Sequence, residues 1–262
     1  MRVHVVSDVH GNTEALARAG DGADALVVLG DLVDFVDYYD HGKGILGQVF
    51  GAEKVGVFAE LRRGRMGPET GLYLRSLWES LDDPRKVVDD AVRAQYAEMF
   101  AAMTAPTYAI PGNVDSPALW PEFAREGLHL VDGQVVEIGG LNFGFAGGAL
   151  LGRGFVLRPE APWVPYLRYE EDFAAAVDKL TDVDVLCSHI PPAVAELTYD
   201  VVARRPEMGS QALVEAIHRE QPRWSVFGHV HQPMARRVRI GRTECVNVGH
   251  FQRLGRPYAL TW

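Results

Sequence analysis

Five apolar, β-rich runs in this chain each end, within a few residues, on an Asp, His or Asn. The endings read Asp8-Val9-His10, Gly30-Asp31, Gly112-Asn113-Val114-Asp115, Ser188-His189 and Gly228-His229-Val230-His231. In an open α/β sheet, sites form beyond the carboxyl ends of the strands. Strands that end this way at one edge would gather carboxylate, imidazole and amide groups in a single place. That placement constrains the fold more than any other feature of the sequence.

The elements around these endings alternate. Residues 3–7, 25–29 and 107–110 read as buried strands, and residues 12–19 read as a helix with Asn12 as N-cap. Strands alternating with helices predict α/β architecture. Farther along, residues 135–138, 141–146, 185–187, 225–227, 238–240, 245–248 and 258–261 are closely spaced strand candidates, several joined by short Gly-containing turns. They predict a second, partly antiparallel sheet packed on the first. Residues 1–262 read as a single domain, with an insertion at about 35–105 after the second strand. The first part of the insertion, residues 39–71, is rich in Gly and charge without a clear period and reads as a loop or lid. The second part is helical. Val88, Val92, Tyr96, Met99 and Met103 fall at steps of 4, 4, 3 and 4, one helix face turned to the core or to a dimer partner.

The residue types at the strand ends suit metal chemistry. Asp8 and His10 are two apart, as are His229 and His231, so on extended backbone each pair points one way and can chelate. Carboxylate, imidazole and amide ligands together fit borderline divalent ions such as Mn, Fe, Zn or Ni. A shared carboxylate can bridge two ions about 3.5–4 Å apart, which polarise both sides of an in-line phosphoryl displacement. Gly30, Gly112 and Gly228 fit sharp turns where backbone passes close to the site.

The order Asp-x-His, Gly-Asp, Gly-Asn-x-Asp, His, Gly-His-x-His, running from Asp8 to His231, resembles the calcineurin-like metallophosphoesterases. The resemblance implies a β-sandwich of two mixed sheets flanked by helices. It implies one metal ion on Asp8, His10, Asp31 and His231, and a second on Asp31, Asn113, His189 and His229, with Asp31 as the bridge. It also implies hydrolysis of a phosphate ester by a hydroxide between the two ions.

One position departs from the family. Many members read Gly-Asn-His-Asp or Gly-Asn-His-Glu, and that histidine is thought to contact the phosphate or protonate the leaving group. This chain has Val114 there. Other bacterial members without the histidine include small phosphodiesterases and the lipid pyrophosphate hydrolases of lipid A synthesis. A phosphodiester is therefore the favoured substrate class. A phosphomonoesterase, a nucleotide pyrophosphate hydrolase and a non-catalytic scaffold on the same fold are the alternatives. His250, after Val246-Asn247-Val248-Gly249, and His41, in the insertion, are candidates to contact the phosphate in place of the missing group. The expected catalytic set is Asp31, Asn113 and His250. Either histidine can equally be a loop residue without a role.

Other residues admit bland readings. Asp115 or Ser116 can cap a helix with Pro117 in its first turn. Arg62, Arg63 and Arg65 can grip phosphate but read first as a solvated loop. Trp163, Tyr166 and Tyr169 can line a cleft or pack between elements.

Bulk properties set outer bounds. A net charge of -9 gives no support to general nucleic-acid binding. A small phosphorylated substrate stays compatible, because bound cations reverse the local field. The chain starts directly on a strand-like run, and no segment has the apolar length of a membrane helix. Cys187 and Cys245 lie far apart, without metal-finger or redox spacing. Reduced thiols in a cytoplasmic protein are the simplest reading, with one disulfide left open, as is assembly into a homo-oligomer.

Overall fold

The computed structural model describes residues 1–63, 68–152 and 154–262. Two mixed sheets form its centre. The first has the order Tyr258–Thr261, Arg2–Val6, Ala25–Val28, Thr107–Ala109, Leu128–Leu130, all parallel except the edge strand Tyr258–Thr261. The second has the order Arg237–Ile240, Thr243–Asn247, Trp224–Phe227, Val185–Ser188, Leu141–Ala146, Val135–Ile138, with an antiparallel pair at each edge and parallel pairs between.

Alternating side chains weld the layers together. Along Ala25–Val28 and into Leu29, Ala25, Val27 and Leu29 enter the core between the sheets, while Leu26 and Val28 enter the core under the helices. In the second sheet Val185 and Cys187 face the first sheet, and Leu186 faces the helices on the far side. This period of two is the geometry of a strand buried on both faces. The result is a β-sandwich with helices on both outer faces, as the motif order implied. Cys187 and Cys245 are free, and they belong to different cores on opposite faces of their sheet, so they do not form a disulfide.

The helical stripe expected in the insertion lies on Pro84–Ala102 and its end, where Val88, Val92, Tyr96, Met99 and Met103 are all buried in the core under the first sheet. The stripe faces the core, not a dimer partner. The reading of residues 39–71 as an irregular loop is overturned. This stretch forms the helices Gly44–Phe50 and Ala52–Arg63 and the start of Pro68–Trp78. Each helix is short and buries few side chains, Val55, Phe58 and Ala59 in the case of Ala52–Arg63, so no apolar period stands out in the sequence. Of the basic cluster, Arg65 lies outside the described residues. No helix among the described residues is long and apolar enough to cross a membrane.

Candidate metal centre

Parallel strands from both sheets deliver the predicted residues to one edge. Arg2–Val6 leads to Asp8, Ala25–Val28 to Asp31, Thr107–Ala109 to Asn113, Val185–Ser188 to His189 and Trp224–Phe227 to His229. Backbone hydrogen bonds then zip the loops together. Asp8 N–H donates to Gly30 C=O at 3.0 Å, His10 N–H to Asp31 C=O at 2.9 Å and Gly228 N–H to His189 C=O at 3.0 Å.

The seven expected ligands converge. His189 Nε2 lies 3.0 Å from Asn113 Oδ1 and 3.5 Å from Asp31 Oδ2. His10 Nε2 lies 3.8 Å from the same Asp31 oxygen, which places that carboxylate between the two expected ligand sets. His231 Nε2 lies 3.2 Å from Asp8 Oδ1, and the His189 and His229 rings are 5.1 Å apart. Of the two groupings of donor atoms among the described residues, one crosses the expected division and the other adds His250 to two members of the first set. Asp8, Asp31 and His189 form one cluster of donor atoms, and His10, His231 and His250 form another.

One premise of the sequence reading fails. Asp8 and His10 do not chelate from extended backbone, because the strand ends at Val6 and their φ angles are 58° and 39°. Asp31 and His229 are also left-handed, at 53° and 65°. Such conformations cost about 1–3 kcal/mol each and persist where the surroundings over-determine them. Four of the seven non-glycine residues at positive φ among the described residues are expected ligands, so the strain is concentrated at this site. The surrounding glycines leave no room for alternatives. A Cβ on Gly30 would fall inside the Gly112 backbone, and one on Gly228 would fall on Ser7 Oγ and Asp8 Oδ2.

The donor groups fit divalent ions. His10 Nδ1 faces Val33 C=O at 3.1 Å and His189 Nδ1 faces Leu29 C=O at 2.8 Å, which leaves each Nε2 for the centre. Asp8 Oδ1 and His10 Nε2 are buried without a hydrogen-bond partner among the described residues. Asp8 Oδ1 is close to His231 but lacks hydrogen-bonding geometry with it. Buried polar atoms left open in this way are costly unless something binds them.

The charges are strongly interdependent. Burial pushes the Asp8 and Asp31 carboxyls up, but the neighbouring histidines outweigh it. Asp8 ends well below the usual range, through His231, His189 and His10, and Asp31 ends at about 2, through His189 and His10. Burial lowers His189, but Asp31, Asp8 and the Leu29 carbonyl raise it to about 9. His229 is driven down to about 4 by burial and by positive His189.

His250 is at the centre. Its ring stacks on His231 with centroids 3.8 Å apart and meets His10 edge-on at 5.7 Å. Burial and the charge of His231 push it down to about 3, so it is a neutral imidazole. His41 is elsewhere, against Gly56 of Ala52–Arg63, and is not among the residues lining the metal cleft. Asp115 does not cap a helix. It is fully buried and accepts from Leu32 N–H, Gly112 N–H and the Tyr96 hydroxyl. Pro117 does open a short 3-10 helix, Pro117–Phe123, but Ser116 makes no side-chain cap. Asn12 caps Thr13–Ala19 as expected, accepting from Ala15 N–H at 3.1 Å.

A cleft of about 410 Å³ opens over His10, Asn113, His231 and His250. Trp163 and Arg62 line it; Arg62 is solvent-exposed as expected, but it stands on the helix Ala52–Arg63 at the cleft wall and not in a loop. Arg63 instead donates to Tyr38 C=O at 3.2 Å. Tyr166 packs, its hydroxyl donating to Asp132 at 2.8 Å, and Tyr169 is exposed. Sequence reasoning missed Asp34 and Gln252. Asp34 lines the cleft, and burial raises its carboxyl to about 6. Gln252 donates to His10 C=O at 2.9 Å and meets His250 Nε2 through Oε1 at 3.2 Å. The signal was present, since His250-Phe251-Gln252 follows a strand with the same two-residue spacing as Asp8 and His10.

Residues 1–233 match the family model described as calcineurin-like phosphoesterase. No curated protein matches the chain. Among solved structures, TT1561 of Thermus thermophilus is 16% identical with a TM-score of 0.55, over 99% of this chain and 98% of that one. A second solved structure has a TM-score of 0.56 at 16% identity, over 96% of this chain and 91% of its own. A putative 5'-nucleotidase of Staphylococcus aureus is 14% identical with a TM-score of 0.44, over 95% of this chain and 48% of that one. At these identities the first two likenesses concern the fold.

Proposed function

Because this chain belongs to the calcineurin-like phosphoesterase family, we propose that it cleaves a phosphodiester at a dinuclear centre held by Asp8, His10, Asp31, Asn113, His189, His229 and His231. Family membership makes it a metal-dependent phosphoester hydrolase. The observation that carries the finer reading is Asp31 Oδ2, which lies 3.8 Å from His10 Nε2 of one expected ligand set and 3.5 Å from His189 Nε2 of the other, beside the buried atoms Asp8 Oδ1 and His10 Nε2 that have no partner among the described residues. Divalent ions bound there would lower the pKa of water and offset charge on the phosphoryl oxygens.

The chain's own residues do the rest. Asp31 and Asn113 reach the centre from neighbouring strands, and Val114 N–H donates to Asp31 Oδ1 at 2.9 Å and fixes the carboxylate. The Val114 side chain offers no proton and no hydrogen bond at the position where many relatives have histidine. A diester carries one negative charge fewer than a monoester, which suits a cleft without that donor. His250, a neutral imidazole whose Nε2–H points at Gln252 Oε1, contacts the phosphoryl group by turning that one proton from Gln252 to a phosphoryl oxygen, and not as a cation. The free, buried thiols support a reducing compartment, and we place the protein in the cytoplasm.

The test is to strip the protein of metal and follow bis-(p-nitrophenyl) phosphate hydrolysis with and without Mn(II), with Asp31→Asn as control. Turnover that returns with Mn(II) and is missing in the variant bears the proposal out. Turnover confined to monoesters would move the protein to the phosphomonoesterase class. A wild-type protein that binds no divalent ion would overturn the centre itself.

A further inference from the structure

Beside the metal cleft lies a second cavity, of about 730 Å³. Its volume falls within the roughly 300–1,000 Å³ usual for small-molecule sites. Its lining is largely apolar and comes mostly from the helical insertion, with Leu46, Phe58, Leu74 and Trp78 on one side and Pro162 on the other. Its exposed charged residues, Arg75, Glu79, Arg158 and Glu160, face solvent. Leu72, also on its lining, leaves 62% of its surface to water. An apolar hollow in water is unfavourable unless something fills it.

The cavity and the cleft share a wall. Phe35, Val36, Arg62 and Trp163 line both. Phe35 and Trp163 are stacked with centroids 4.1 Å apart, which gives that wall a flat aromatic surface. Arg62 is the only cation of the four, and its guanidinium is held over the Tyr38 ring at 5.7 Å. The metal cleft and the apolar space therefore adjoin at this wall, and an arginine stands at it.

We propose that this cavity receives an extended alkyl arm of the substrate, while the phosphoryl group lies at the metal centre and Arg62 marks the junction. The proposal rests on the phosphoesterase reading of that centre. It makes the substrate an amphiphilic phosphodiester. The insertion is then the element that selects it, because its helices supply most of the apolar lining.

Two measurements test it. The first is binding of methyl phosphate and octyl phosphate by calorimetry, to the metal-free and the Mn(II)-loaded protein. Burial of each methylene strengthens binding roughly twofold to fourfold, so octyl phosphate should bind about 100-fold or more tightly than methyl phosphate in both forms. Gly71→Phe should shrink that ratio toward one, because Gly71 lines the cavity and a Cβ there meets open space. The chain-length series on the unmodified protein decides the matter even if that variant does not fold.

The second measurement is turnover of methyl and octyl p-nitrophenyl phosphate below the micellar range. Water oxygen bonds to phosphorus, the bond to p-nitrophenolate breaks, and the alkyl phosphate and p-nitrophenol leave with the protons of the water. A matching rise in kcat/KM supports the proposal. Equal affinity for methyl and octyl phosphate overturns it, whatever the turnover. Tight octyl phosphate binding without turnover of either ester leaves the alkyl site standing and overturns the phosphodiesterase reading instead.

Discussion

The Asp115 carboxylate accepts a hydrogen bond from Leu32 N–H at 3.1 Å, so the loop that carries Asn113 is tied to the loop that carries Asp31. The same carboxylate takes Gly112 N–H at 2.8 Å. Asp115→Asn would turn an amide donor toward one of these donors and leave it unsatisfied. The expected cost is about 2–4 kcal/mol, since each buried unsatisfied group costs about 1–3 kcal/mol. Urea denaturation would measure it, and Mn(II) titration should show weakened binding. Unchanged stability would mean that the tie is dispensable.

Gly30 stands at φ 90°, with the Gly112 backbone where its Cβ would be. Gly30→Ala should cost about 3 kcal/mol or more, from backbone strain and overlap together. Metal binding should fall with it, because the overlap pushes Asp31 away from Asn113. A melting temperature within experimental error of the unmodified protein would contradict this.

His189 sets a pH dependence. In the metal-free protein it is held up at about 9, against an ordinary 6.5. A raised histidine stabilises the fold fully below pH 6.5, and that contribution disappears as pH rises through about 9. A ligand histidine must be neutral, so metal binding at pH 7.5 should release about one proton from His189 or more in total. Calorimetry in two buffers of different ionisation enthalpy would count the protons. Metal affinity should climb with pH toward 9, and a flat profile would remove His189 from the ligand set.

The two histidines weighed for phosphate contact should now behave differently. His250→Ala should lower kcat/KM about tenfold or more, the scale of a lost hydrogen bond to a charged group. His41→Ala should leave turnover within about twofold, because His41 packs against Gly56 away from the cleft. The reverse pattern in steady-state kinetics would exchange their roles.

Much of this molecule was legible in one dimension. Each of the strand ends at Asp8, Asp31, Asn113, His189 and His229 lies where the apolar runs placed it, since buried strands announce themselves by continuous β-branched composition. The helical face from Val88 to Met103 was equally readable, because nineteen residues of Pro84–Ala102 give a period time to repeat. The short helices Gly44–Phe50 and Ala52–Arg63 gave no such repeat and were hidden. Asp115 was misread because a buried carboxylate receiving backbone N–H groups and a helix cap look the same in sequence.

By itself the sequence determined the identity and order of the candidate ligands and the α/β layering, because both are written in local composition and spacing. Only the tertiary structure decided how the ligands are aimed, by left-handed backbone at Asp8, His10, Asp31 and His229. It alone also brought His250 onto His231 and set Arg62 and Trp163 between the cleft and the apolar cavity. These are contacts between residues far apart in the chain, and no local pattern specifies the distance between them.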